Sequence, residues 1–227
     1  MFRSNRFLRQ AMTLASPTPI IIRPIKDGEY IEAVRLYRAA IGPSPTMQCL
    51  ISKVDPLEWK QFTARRFKLA ADEESDSVLV AQRIDTAELV GVALTERYSK
   101  ESRPTLPNCQ FPEGYNQKEA EQIMIPEVQF QEECLAKYGA FWYIDDFAVA
   151  PDYQGQGIGR QMAEHIIAQA KQSGRNIALF AASGKLGFYA QFGFEVAGKP
   201  CVLGNGMIEG PTPMRLVFPD EIGRAVL

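Results

Sequence analysis

The run Val149-Ala150-Pro151-Asp152-Tyr153-Gln154-Gly155-Gln156-Gly157-Ile158-Gly159 has residue types and spacing suited to holding an anion. An aromatic and β-branched stretch from Phe141 to Ala150 leads into a Pro-Asp-Tyr turn. Three alternating glycines follow, and then Ile158, Met162, Ile166 and Ala170 repeat at helical spacing. The first N–H groups of such a helix lack intrahelical acceptors and point outward at the positive end of its dipole, where phosphates bind. Glycines at 155, 157 and 159 let the backbone come close to a pyrophosphate and adopt positive φ. Two other phosphate loops do not fit. The GxGxxG spacing fails because Met162 stands where the third glycine would follow Gly157 and Gly159, and the Gly-Lys-Ser/Thr ending of a P-loop is absent.

A second block, Gly187-Phe188-Tyr189-Ala190-Gln191-Phe192-Gly193-Phe194, follows at a fixed separation. Together the two blocks resemble the GNAT superfamily of N-acetyltransferases. Gln154, Gly157 and Gly159 stand at the fixed positions of its acetyl-CoA signature, and 187–194 is similar to its helix-to-strand element. The resemblance covers roughly residues 20–218 and is greatest to fungal members. It implies a GNAT-type α/β fold with a mixed sheet and acetyl-CoA as cosubstrate, with no metal. The strand at 143–150 would splay from the one at 177–182, and pantetheine would lie between them on backbone groups near Phe147 and Val149. The pyrophosphate would sit on the N–H groups of Gln154, Gly155, Gln156, Gly157, Ile158, Gly159 and Arg160. The Arg160 side chain either adds charge at the phosphates or is simply solvated. Where the family often has Asn after the second strand, this chain has Ala182-Ser183-Gly184. Ser183 would then offer its hydroxyl to pantetheine, or cap the helix beginning near Lys185.

Acetyl transfer makes three demands. An alkylammonium, with a pKa of about 10.4 for a Lys-type amine, must lose a proton before it can attack. The oxyanion formed at the thioester needs a backbone N–H, and the departing thiolate needs a hydrogen-bond donor. Tyr189 matches the family tyrosine near the thioester sulfur; the alternative is a packed aromatic. For the base, Asp145 and Asp146 stand out as adjacent acids in an otherwise apolar strand. Alternation puts them on opposite faces, with Asp145 sharing the face of Phe147 and Val149. Either is the base, or one is a surface residue and the other a partner for Arg or Lys, with ordered water taking the proton.

The elements that must position these groups are legible from periodicity. Residues 19–26 read as an edge strand. Asp27 reads as the cap of a helix that Gly42 and Pro43 stop, and Asp55-Pro56 open a helix to about residue 70 carrying Leu57, Trp59, Phe62, Phe67 and Leu69. Residues 72–76 form an acidic turn. Strands at 77–84 and 88–97 are joined by a hairpin at 85–87. Residues 98–140 read as an insertion beside the substrate site, helical from 117 to 138 with an interruption at Pro126. After the 158–172 helix come a strand at 177–182, a short helix at 186–192, and strands at 194–197 and 214–218. The whole reads as one domain over residues 20–220 behind a leader, residues 1–19.

Composition bounds the rest. The chain has 227 residues, 46% hydrophobic and 23% charged, with a net charge of -2. Such a balance lacks the basic stripe that nucleic-acid binding demands, and no apolar run spans a bilayer. Cys49, Cys109, Cys134 and Cys201 are scattered, and His165 is the single histidine, which argues against disulfide or zinc frameworks. Arg3, Arg6 and Arg9, with no acid before Asp27, leave a mitochondrial presequence open beside a cytoplasmic location. The reading is therefore an acetyl-CoA-dependent N-acetyltransferase acting on a primary amine of a small molecule in a ternary complex, as a monomer or homodimer. A silent acyl-CoA-binding sensor, or transfer of a longer acyl group, shares the same loop.

Overall fold

A computed structural model describes residues 19–107 and 109–219; the arginine-bearing leader lies outside the described residues, apart from Pro19. Among these residues a seven-stranded sheet has the order β1-β2-β3-β4-β5-β9-β6, from β1 (Ile20–Pro24), β2 (Val78–Arg83), β3 (Leu89–Tyr98), β4 (Phe141–Val149), β5 (Asn176–Ala181), β6 (Glu195–Val196) and β9 (Thr212–Leu216). Neighbours are antiparallel except β4 and β5, which run parallel. The sheet is thus mixed and the architecture α/β, as the sequence led us to expect. A separate hairpin, β7 (Val202–Leu203) with β8 (Ile208–Glu209), was not foreseen, because two-residue strands show no alternation.

Helices cover both faces. On one, α5 (Ile158–Gln172) buries Ile158, Met162, Ile166 and Ala170 against Leu79, Val90, Trp142, Ile144 and Leu179. On the other, α1 (Tyr30–Ile41) and α3 (Pro56–Glu73) bury Val34, Tyr37 and Phe67 against Val80, Val92, Leu94 and Ala148. Asp55 caps α3 as its sequence predicts, its carboxylate accepting the N–H groups of Leu57 at 2.8 Å and Glu58 at 3.1 Å. Leu57 and Leu69 nevertheless face solvent, since the buried stripe of α3 is Trp59, Thr63, Ala64 and Phe67.

Several boundaries differ from expectation. Helix α1 starts at Tyr30 rather than after Asp27, because Gly28 turns the chain at φ 88° and Glu29 takes the cap position. The Glu29 carboxylate accepts the Lys26 N–H at 2.9 Å and pairs with Arg23 at 2.7 Å, pinning that turn to β1. A short helix, α2 (Pro45–Ile51), to which the sequence analysis assigned no element, opens on the Ser44 side chain, which accepts the Met47 N–H at 3.2 Å. Helix α4 (Gln117–Tyr138) runs unbroken through Pro126. Proline forfeits one intrahelical bond, but tertiary burial holds both ends: Ala120 packs with Leu50, Val54 and Trp59, and Phe130, Cys134 and Leu135 pack with Phe141 and Tyr143. Helix α6 (Leu186–Ala190) completes the set.

Two irregularities in β4 shape the middle of the molecule. Pairing with β3 shifts register between Leu94, opposite Asp146, and Thr95, opposite Ile144, which leaves Asp145 as the extra residue of a β-bulge. Pairing with β5 ends at Ile144 and Leu179, although both strands continue. Beyond that point they part.

Candidate active site

The turn from 154 to 160 has the geometry of an anion cradle. Gly155 at φ 75° and Gly157 at φ 82° sit in open space, and Gly157 caps α5 with no side chain in the way. The first bond within α5 runs from the Gln161 N–H to the Gly157 carbonyl at 3.1 Å, so the N–H groups of Ile158, Gly159 and Arg160 precede it. Gly159 serves a different purpose from the other two. Its φ is not positive, and a Cβ there would lie 3.6 Å from both Phe188 and Val149, so it fits the helix against strand and α6. The Ile158 side chain is core, which leaves only its backbone for a ligand. Gln154 Nε2 donates to the Val149 carbonyl at 2.9 Å and Gln156 Nε2 to the Asp152 carbonyl at 3.0 Å, tying the turn back to β4. Arg160 reaches sideways to Gln191 at 2.7 Å and Glu164 at 3.4 Å, over the Phe192 ring.

Phe147 and Val149 lie on β4 past its last pairing with β5, at the opening between the strands. Tyr189 stands beside them, its ring 6.3 Å from Phe147 and 5.7 Å from Phe194. Its hydroxyl has no partner among the described residues, and burial holds its pKa well above the ordinary phenol value. The phenol therefore stays protonated across the physiological range. Ser183 is exposed in a turn with Gly184 at φ 80° and does not cap α6, whose N-cap is Lys185 without a side-chain bond.

The bulge overturns simple alternation for the two aspartates. Asp146, 6% exposed, accepts a hydrogen bond from Tyr37 on Oδ1 and pairs through Oδ2 with Arg66, both at close range. Asp145, 26% exposed, lies 3.5 Å from the same Arg66 nitrogen. Both carboxylates thus face the α3 side, and Asp145 does not share the face of Phe147 and Val149. Asp146 is held between Tyr37 and Arg66, and Asp145 lines a cavity.

That cavity, of about 1380 Å³, lies between α2, α3, the 98–115 segment, α4 and the middle of the sheet. Its walls include Trp59, Phe62, Phe111 and Tyr115. Trp59 and Tyr115 are parallel with centroids 6.2 Å apart, and Phe111 and Tyr115 stack at 4.5 Å. Further acids line it that motif reasoning did not find, among them Glu96 on β3, hydrogen-bonded by Tyr98, and Glu127 on α4, hydrogen-bonded by Tyr143. Desolvation, reinforced by the Asp145 charge, holds both carboxyls well above the ordinary Glu range. No local pattern could have exposed them, since β3 and α4 meet only through the fold. Among the described residues no three or more His, Cys, Asp or Glu gather as a metal site would require, and no helix is long and apolar enough to cross a membrane. His165, partly buried on α5, has its pKa lowered by desolvation and lies outside this constellation.

These raised carboxyls make stability depend on pH. A Glu whose folded pKa exceeds its unfolded value of about 4.3 binds more protons in the native state. Its stabilisation is present below that unfolded value and is lost as pH rises through the folded one. Melting curves of ligand-free protein should therefore fall less between pH 6 and pH 8 in Glu127→Gln than in the wild type. His165 titrates in both and cancels in the comparison. Equal slopes would mean that Glu127 is ordinarily ionised in the fold.

Comparisons with known proteins match this arrangement. Residues 121–196 match the family model described as an acetyltransferase (GNAT) domain. No curated protein matches the chain in sequence. Solved structures share the GNAT fold at low identity. A histone acetyltransferase HPA2 and related acetyltransferase from Corynebacterium glutamicum is 18% identical, with a TM-score of 0.55 over 89% of this chain and 99% of its own. The polyamine N-acetyltransferase of Drosophila melanogaster is 11% identical, with a TM-score of 0.61 over 86% and 97%. The arylalkylamine N-acetyltransferase 2 of Aedes aegypti is 13% identical, with a TM-score of 0.57 over 87% and 98%.

Proposed function

We propose that the protein transfers an acetyl group from acetyl-CoA to a primary amine of a small molecule, by direct attack in a ternary complex. The observation that carries this reading is the parting of β4 and β5 after Ile144 and Leu179, with a phosphate-type cradle at one end and an acidic, aromatic cavity at the other. The Gly155–Arg160 backbone would hold the pyrophosphate, pantetheine would run past Phe147 and Val149, and the thioester would reach Tyr189. Asp146 and Arg66 act in this reading as a structural pair, and Asp145 faces the incoming amine. Fold neighbours that act on polyamines and arylalkylamines support an amine acceptor.

In the reaction one ammonium proton leaves to a base, the freed amine nitrogen forms the C–N bond, the C–S bond breaks, and the second proton lost by the nitrogen ends on the departing thiolate. The backbone amides along the parted β4 would stabilise the oxyanion. Tyr189 would donate a hydrogen bond to the thiolate as it departs.

Titration calorimetry with acetyl-CoA and with free CoA tests the cradle, and thiol release across a panel of amines tests turnover. Binding of both cofactors with thiol release is expected. Binding without release from any amine would instead favour a sensor, and no binding would end the reading. Gly157→Ala sharpens the test. At φ 82° an alanine costs about 1–2 kcal/mol, and its methyl projects into the cradle. It should weaken acetyl-CoA binding at least about tenfold.

A further inference from the structure

Glu96 from β3, Glu127 from α4 and Asp145 from β4 line the cavity within electrostatic reach of one another, with Asp146 buried behind Asp145. Arg66 of α3 faces them, and both aspartates already share it. Of the other arginines that line the cavity, Arg97 and Arg103 are engaged elsewhere, while Arg65 and Arg175 pair with neither glutamate. Arg97 pairs with Glu74 and Asp76 and lies 4.1 Å over the Trp142 ring, and Arg103 pairs with Glu132. Among the described residues no ion pair joins either glutamate to a cation.

Their hydrogen bonding is half complete. Tyr98 donates to Glu96 Oε2 and Tyr143 donates to Glu127 Oε1, while the other oxygen of each carboxyl has no partner among the described residues. The two tyrosine rings lie 6.2 Å apart, and the glutamates they hold line the same cavity, where Glu96 repels charge at Glu127. Tyr143 stands two residues before Asp145 and one before Ile144, where β4 and β5 cease to pair. The tyrosine that holds Glu127 thus belongs to the last stretch of β4 that pairs with β5. An enclosed carboxylate is costly unless a cation completes it.

Building on the acetyltransferase reading, the geometry points to Glu96 and Glu127 as an ammonium-binding pair that receives a primary amine on an aromatic body and takes its proton. The ring lies against Trp59, Phe62, Phe111 and Tyr115, and the ammonium donates to the free oxygens of the pair. The proton step is balanced within the pair: R–NH3+ and one carboxylate become R–NH2 and one carboxylic acid. The freed lone pair then attacks the thioester carbon. Placement on β3 and α4 makes this a different acceptor from the β4 aspartates.

The groups that tune the pair are few. Tyr98 and Tyr143 hydrogen-bond it, Asp145 raises its proton affinity, Arg66 lowers it, and Glu73 of α3 adds repulsion at Glu96. An ammonium arriving there favours the ionised carboxyls and expels bound protons.

Calorimetric titration of 2-phenylethylamine into the cofactor-free protein at pH 7, in phosphate and in Tris, reads this directly. The wild type should bind with net proton release, seen as a different heat in the two buffers. Glu127→Gln and Glu96→Gln each keep the tyrosine hydrogen bond. Each should weaken binding by about tenfold to a hundredfold, the range for one lost charge-assisted hydrogen bond, and diminish the proton release. A thermal melt confirms that each variant is folded. Absence of 2-phenylethylamine binding to the wild type, or unchanged affinity and proton release in both folded variants, would overturn the assignment. Because no cofactor is present, failure of acetyl-CoA binding leaves this result standing, and the two readings fail separately.

Discussion

Tyr189→Phe should lower kcat by about 10- to 100-fold while leaving the acetyl-CoA dissociation constant within about twofold. The size follows from which role the phenol can perform. Burial holds the Tyr189 pKa above its ordinary value of about 10, and a thiol titrates near 8.5. Complete proton transfer from phenol to thiolate is therefore uphill, and the chemistry left to Tyr189 is a hydrogen bond to the sulfur as charge builds on it. A hydrogen bond to a charged group contributes about 1.5–3 kcal/mol, which is the predicted range in rate. The ring should stay in place without its hydroxyl, because Phe147, Phe188 and Phe194 pack around it and the hydroxyl bonds to none of the described residues. Single-turnover measurement of thiol release at saturating amine isolates this step. An unchanged rate would remove Tyr189 from the chemistry. A loss near 10⁴-fold would instead demand true general-acid transfer.

Arg66→Met should destabilise the protein by about 3 kcal/mol, the lower end of the range for orphaning one member of a buried pair. Arg66 is 39% exposed, so water softens the effect, but Asp146 is 6% exposed and lies 5% accessible as a residue beneath α1 and α3. Without the guanidinium, Asp146 keeps only the Tyr37 hydroxyl and gains the unscreened repulsion of Asp145. In a chain of this length each kcal/mol moves the melting temperature by about 2–4 °C. The loss is thus readable in a simple melt. The double variant Arg66→Met with Asp146→Asn should recover much of it, since a neutral amide can still accept from Tyr37 and leaves no buried charge. Additive effects of the two substitutions would show that the close pair contributes nothing as a pair. Because Arg66 also faces Glu96 and Glu127, a change in amine affinity is expected alongside the stability change.

The two experiments probe opposite sides of β4. Tyr189 reports on the opening toward α5 and α6, and Arg66 reports on the packing toward α1 and α3. The bulge at Asp145 is what separates them. It turns Phe147 and Val149 toward the opening and leaves both acids on the other side.

The sequence by itself determined the anion turn, the alternation of strands and helices, the mixed α/β sheet, and the resemblance that pairs the turn with Tyr189. Those features are local. Gly157 at positive φ, the Asp55 cap and the apolar stripe of α5 are each written in a few consecutive residues, and backbone sterics or helical periodicity decides them. Local signals too short for periodicity, such as the Ser44-Pro45 helix start and the β7–β8 hairpin, were present but not decisive. Pro126 misled for the opposite reason. Its local preference is to break a helix, and burial at both ends of α4 outweighs it.

Only the tertiary structure decided the environment of the carboxyls. Asp145 and Asp146 look equivalent in sequence, and a one-residue register shift against β3 gives Asp146 to Tyr37 and Arg66 and leaves Asp145 at the cavity. Glu96 and Glu127 carry no motif at all, being 31 positions apart on a strand and a helix. Charge and desolvation act through space and not along the chain. What makes those two glutamates notable is therefore the protein packed around them, which no window of sequence displays.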